Sequence, residues 1–144
     1  MVIAAPHAKF GLPEVNVGLY AMSGGLSRIV RSVGLNFASE LALTGRQIGV
    51  EEAKQWGLVN GIAKTRSSVV PEALGLANLI ASKSPDAIIA TRAGIRQGLE
   101  HGVEQATNLT NELYRQKVID GENFKIGVKA FTEKGIPRWV PSRL

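Results

Sequence analysis

Glu14 is the only acid in the stretch AKFGLPEVNVGL, Ala8 to Leu19, where it follows Pro13 inside an otherwise apolar run. A carboxyl there is either a solvated loop acid or a proton-transfer group held away from water. Most Asp and Glu are exposed, and burying one is costly unless it is paired or neutralised, so the stretch alone favours the solvated loop. Other chemistry-bearing residues are few. The absence of cysteine excludes disulfides and thiolate metal sites. His7 and His101 are the only imidazoles, and their wide separation reads as surface or capping residues rather than metal ligands. Gly24 and Gly25 ahead of a helical pattern suggest a phosphate cradle, a motif too short to stand alone. Lys134, near the end of the last helical pattern, reads as a solvated cation beside a helix C-terminus.

These residues need a scaffold, and 144 residues suffice for one modest core. The 44% hydrophobic and 20% charged content is that of a globular rather than a disordered chain. No apolar run reaches the length of a membrane span, and MVIAAPHAKF lacks the basic start of a signal peptide. The net charge of +5 comes from seventeen scattered Lys and Arg, without a basic block or interleaved aromatics, so no nucleic-acid motif is present. A polyanionic small molecule is the narrower reading of that charge.

The character changes at Ala63. Residues 1–63 are rich in glycine and in short extended pieces, MVIAA, AKFGL and LVNGIA, whereas 64–144 read as successive helices. Ser23 is the expected N-cap of a helix that stops at Gly34, and a second helix runs from Asn36 to Gly45. VEEAKQWG is a short helix between Gly49 and Gly57. Pro71 opens another helix with the stripe Leu74, Ala77 and Ile80. Ser84 and Pro85 start a helix with the stripe Ile88, Arg92, Ile95 and Leu99. Val103, Ala106, Leu109 and Leu113 share one face, and Phe124, Val128 and Phe131 another. Such stripes predict packing against one another or against a neighbour. The apolar opening MVIAA reads as a core strand with nothing before it to flank it, so its apolar face is expected to be exposed.

Three blocks, AKFGLPEVNVGLYAMSGGLSRIVRSVG, LALTGRQIGVEEAKQWGLVN and GVKAFTEKGIP, resemble in order and spacing the C-terminal half of the crotonase superfamily, the enoyl-CoA hydratases and isomerases. The resemblance spans essentially the whole chain. It implies an α/β fold in which residues 1–63 are a partial ββα spiral core and residues 64–144 a helical region for oligomerisation and coenzyme A contact, mostly α overall. It implies that Glu14 is the catalytic acid–base group of an FG-x-PE segment. In general, apolar surroundings disfavour an ionised carboxyl and suit it to proton transfer near neutrality. The two oxyanion-hole amides and a second acid used by hydratases belong to the half of the family that these blocks do not cover. Gly18, Gly24, Gly25 and Arg28 match the glycine-rich turn beside the acyl group. Ala21 and Met22 replace a common Pro-Gly, so Met22 either narrows the acyl pocket or fills core space. Phe131 and Lys134 match positions near the nucleotide end of coenzyme A, while Gly135 and Ile126 depart from a usual arginine and glutamate.

The resemblance thus implies an acyl-CoA thioester substrate, no separate cofactor because coenzyme A is part of that substrate, and a homotrimer or hexamer. It leaves three readings open: hydration of a 2-enoyl-CoA, isomerisation of its double bond, or an inactive fragment that keeps only the helical assembly region. The tail Ser142, Arg143 and Leu144 resembles the peroxisomal Ser-Lys-Leu address and implies an import-receptor partner and a peroxisomal location, with the cytoplasm otherwise.

Overall fold

A computed structural model describes residues 1–144. The chain divides into two compact units, Met1–Leu76 and Ala77–Leu144, with the boundary inside one helix.

The first unit holds all the strands. β1 (Ile3–Ala4) pairs in parallel with β4 (Gly61–Ile62), and β2 (Lys9–Gly11) pairs antiparallel with β3 (Gln47–Gly49), with Phe10 opposite Ile48. The predicted strand regions 1–12 and 58–63 are present, and β3 is an addition. Ala4 is buried, whereas Met1 and Val2 before it are exposed, so the opening segment is open on part of its surface. The helix α1 (Gly25–Thr44) follows a 3₁₀ turn over Pro13–Val17.

Two local expectations for α1 meet different outcomes. Gly34 interrupts the helix at φ 80° and ψ 170°, a conformation open essentially to glycine alone, and so marks the predicted break. Ser23 is not the N-cap. Gly24 takes that position with no side-chain cap, and the Ser23 carbonyl instead accepts the Nη1–H of Arg28 at 2.9 Å. α2 (Val50–Gln55) lies between Gly49 and Gly57 as the glycines predict. Ile29, Val33 and Leu41 of α1 meet Ile48, Val50 and Ala53 in one buried cluster. Each large side chain fully removed from water there contributes about 1.5–3 kcal/mol.

Beyond Ala63 every element is helical: α3 (Val69–Ala81), α4 (Pro85–Glu100), α5 (Val103–Thr110), α6 (Gln116–Asp120) and α7 (Glu122–Thr132), with a π-turn at Asn111–Arg115 joining α5 to α6. Ser84 caps α4 by accepting the Ala87 N–H, and Pro85 occupies its first turn. The predicted stripes are not the packed faces within this chain. Leu74, Ile95, Leu99, Val103, Val128 and Phe131 are all exposed, and Ala106 is the one buried member of its stripe.

The two most enclosed side chains of the second unit are polar instead. Asn123, 2% exposed, donates from Nδ2 to Asp86 Oδ2 at 2.9 Å and to the Val140 carbonyl at 3.0 Å, and its Oδ1 accepts the Val140 N–H at 3.0 Å. Trp139 Nε1 donates to the Ser82 carbonyl at 2.9 Å. These bonds strap the irregular segment after α7 onto the helices. No helix of the chain is long and apolar enough to cross a membrane.

Candidate functional site

Pro13 fixes φ at the first position of the 3₁₀ turn Pro13–Val17 and donates no N–H, so it fits where a donor has no partner. The turn closes with the Leu19 N–H on the Glu14 carbonyl at 3.0 Å. It carries Glu14 into a cavity of about 90 Å³ whose other walls are Leu12, Val15, Tyr20, Ala21, Leu26, Ala42 and Leu43. Glu14 is half-buried, and its Oε2 is buried without a hydrogen-bond partner inside the chain. Native folds rarely leave a buried polar atom unpaired, and those that do warrant a functional explanation. A carboxyl oxygen aimed at apolar walls is available to a bound molecule, and its chemistry there is proton exchange.

The platform under this turn is the end of α1 and the start of β3. Arg46 Nε donates to Glu40 at 2.9 Å, and its Nη1 and Nη2 reach the two oxygens of Glu52. The guanidinium also lies 5.3 Å from the centre of the Trp56 ring, which stacks on Phe37 at 4.5 Å. Hydrogen bonding to Arg46 holds the Glu52 carboxyl below its usual range, and the same bonds, that to Glu52 first, hold the guanidinium charged well into alkali.

The structure brings Glu14 and Gly24 into one unit, with Met22 beside them in sequence. Met22 is 60% exposed and does not line the Glu14 cavity, so within this chain it is neither core filler nor a wall of that pocket. Its neighbours Tyr20 and Ala21 are the walls instead. Gly24 starts α1 at φ 81°, and a side chain there would sit 2.9 Å from Arg28 Nη1. Phe131 and Lys134 lie in the other unit. Phe131 is 88% exposed, which removes core packing within this chain as its explanation. Lys134 adopts φ 52° just past α7, where its N–H bonds the Phe131 carbonyl and the Gly135 N–H bonds that of Ala130. That is a Schellman-type ending with lysine where glycine is usual.

Sequence reasoning missed Tyr20, Leu26, Ala42 and Leu43 as walls of the cavity. Nothing local marks them, because they converge only when α1 folds back beside the turn. It also missed Asp86, whose buried Oδ1 has no partner and which borders a cavity of about 440 Å³ in the second unit with Lys117, Lys125 and Arg143. That cavity is larger than the one at Glu14 but mixes both signs of charge, whereas the Glu14 cavity isolates one carboxyl among apolar walls.

Residues 1–141 match the family model for enoyl-CoA hydratase/isomerase. The chain is 45% identical over 147 residues to a mevalonyl-coenzyme A hydratase of Beauveria bassiana, covering 100% of this chain and 52% of that protein. It is 39% identical over 145 residues to a mevalonyl-coenzyme A hydratase of Aspergillus fumigatus, covering 100% and 53%. The crystal structure of an enoyl-CoA hydratase from Mycobacterium tuberculosis superposes with a TM-score of 0.90 at 32% identity, over 99% of this chain and 56% of that one. The chain thus spans about half the length of the relatives it matches.

Proposed function

The chain belongs to the enoyl-CoA hydratase/isomerase family, and from that premise we propose that it carries the proton-transfer glutamate of a hydratase acting on 2-enoyl-CoA thioesters. The observation that carries this reading is Glu14 Oε2, buried and unpartnered in an apolar cavity. In the hydration direction the oxygen of water bonds to C3 of the enoyl group and electrons move onto the thioester carbonyl as an enolate. Glu14 gives its proton to C2, and the proton released by the water restores the acid, so that one water is gained overall. The enolate oxygen needs oriented N–H donors, which we assign to the half of the relatives that this chain does not span. Two of the similar proteins are named for mevalonyl-coenzyme A, a 3-hydroxy-3-methylacyl thioester, which makes the branched 3-hydroxyacyl-CoA class the first substrate to try.

The test is Glu14→Gln in a chain extended to the length of its relatives, which keeps size and removes the proton. Turnover is expected to fall by roughly two to four orders of magnitude, with thioester binding little changed. Substantial residual activity would make Glu14 structural. The second reading is isomerisation of the double bond, in which a single carboxyl carries a proton from one carbon of the acyl chain to another. Product analysis separates the two, because only hydration yields a 3-hydroxyacyl product.

Two further proposals accompany this one. The exposed apolar residues Leu74, Leu79, Ile95, Val103 and Phe131 support self-association into a trimer or hexamer; a strict monomer by light scattering would count against it. Ser142, Arg143 and Leu144 support peroxisomal import. A reporter ending in PSRL should enter peroxisomes and should stay cytosolic without Leu144.

A further inference from the structure

We propose that Asn16, seated in the notch left open by Gly45, is the positioning residue that aims the Glu14 carboxyl. The inference deepens the reading of Glu14 as the proton-transfer group and rests on it. Both residues ride the five-residue turn Pro13–Val17, a 3₁₀ segment too short to hold its own geometry in water. Both are gripped by the same end of α1. Ala42 and Leu43 wall the Glu14 cavity, and two residues on, the Gly45 carbonyl accepts the Asn16 Nδ2–H at 3.4 Å.

A hydrogen bond of that length is weak, and the close approach behind it carries more of the argument. A Cβ on Gly45 would lie 2.8 Å from both Asn16 Nδ2 and Oδ1, closer than side chains tolerate. Gly45 also sits at φ 62°, where a side chain is strained in any case. Only glycine lets the amide lie against this backbone. The notch is itself held rigidly: the Arg46 N–H bonds Thr44 Oγ1 at 3.2 Å, and the Arg46 side chain ties Glu40 of α1 to Glu52 of α2. The entry to the turn is fixed from the same place. Gly11 pairs with Gln47 in the β2–β3 ladder, and a Cβ on Gly11 would meet the Arg46 carbonyl at 3.1 Å. The segment carrying Glu14 is therefore clamped at Gly11 on one side and at Asn16 on the other, against one loop, Thr44–Gln47.

The experiment follows the Glu14 side-chain carboxyl by ¹³C NMR in the 144-residue chain, its signal assigned by its disappearance in Glu14→Gln. Asn16 is exposed, so Asn16→Ala leaves the core intact and the variant interpretable; Asn16→Asp keeps the size but removes the donor, and Gly45→Ala fills the notch. In Asn16→Ala and Asn16→Asp the Glu14 signal should move to the position of the exposed glutamates, while the other glutamate signals stay in place. Gly45→Ala, where it folds, should do the same. A lowered thermal midpoint with the Glu14 signal unmoved in both Asn16 variants would overturn the proposal, since a merely structural role predicts that result. The readout requires no turnover. An unmoved signal therefore removes the clamp and leaves the function standing, whereas full activity in an extended Glu14→Gln chain removes the function and leaves the clamp.

Discussion

Replacing Asn123 by alanine should be among the most damaging changes available in the second unit. The side chain is fully enclosed and makes three hydrogen bonds, two to the backbone of Val140 and one to Asp86 Oδ2. Each neutral bond contributes about 1 kcal/mol net, and one to a carboxyl group about 2 kcal/mol. The Asp86 bond matters most, because Asp86 is 5% exposed and its other oxygen already lacks a partner. Asn123→Ala should therefore cost about 4 kcal/mol, a large share of the 5–15 kcal/mol that typically holds a domain together. Asp86→Ala removes the buried carboxyl itself, and in that background Asn123→Ala should cost only the two Val140 bonds, about 2 kcal/mol. The double-mutant cycle, read from urea unfolding of the four proteins, should thus give a coupling of about 2 kcal/mol. Amide exchange at Val140 should accelerate in both proteins that lack Asn123. A coupling near zero, or an Asn123→Ala cost below about 1 kcal/mol, would refute the account of the second unit as organised by a buried polar network.

Lys134→Gly should stabilise the chain by about 1 kcal/mol, because lysine at φ 52° bears a left-handed strain that glycine avoids, less the entropy glycine gains when unfolded; an unchanged or lower thermal midpoint would count against the Schellman assignment. The carboxyls of Glu52, bonded to Arg46, and Glu72, bonded first to the Ser68 hydroxyl and then to the Lys64 N–H, are held below their usual range. Their contribution is complete above the ordinary glutamate value of about 4.3 and is lost as pH falls through the lower folded values. Urea midpoints should accordingly drop on acidification from about pH 5 downward, and Ser68→Ala should flatten that slope by lowering the midpoint near neutrality, where the Glu72 contribution is present, more than the midpoint in acid.

Much of this protein was legible along the chain where the cause is local. The break at Gly34, the bounds of α2 between Gly49 and Gly57, and the start of α4 at Ser84 and Pro85 follow from backbone sterics and capping within a few residues, and each is where the sequence puts it. Family membership was legible for a related reason: three blocks in fixed order and spacing carry it without reference to contacts. The acid at Glu14 was marked by type and neighbourhood. What the sequence left open was decided by residues far apart along it. β3 is three residues long and lacks an alternating pattern of its own; it exists because Ile48 finds Phe10 and a buried cluster across the ladder. The periodic stripes of the later helices correctly marked helices but not what covers them, since amphipathic spacing records an apolar face and says nothing of its partner. Gly24, at φ 81°, takes the cap position expected of Ser23, and the Ser23 carbonyl accepts Arg28, 5 positions on. Asp86 and Asn123 stand 37 positions apart and carry no motif, and the walls of the Glu14 cavity come from three separate stretches. Sterics act between neighbours and are written in the order of residues, whereas enclosure and desolvation arise only when distant segments close on the same few atoms.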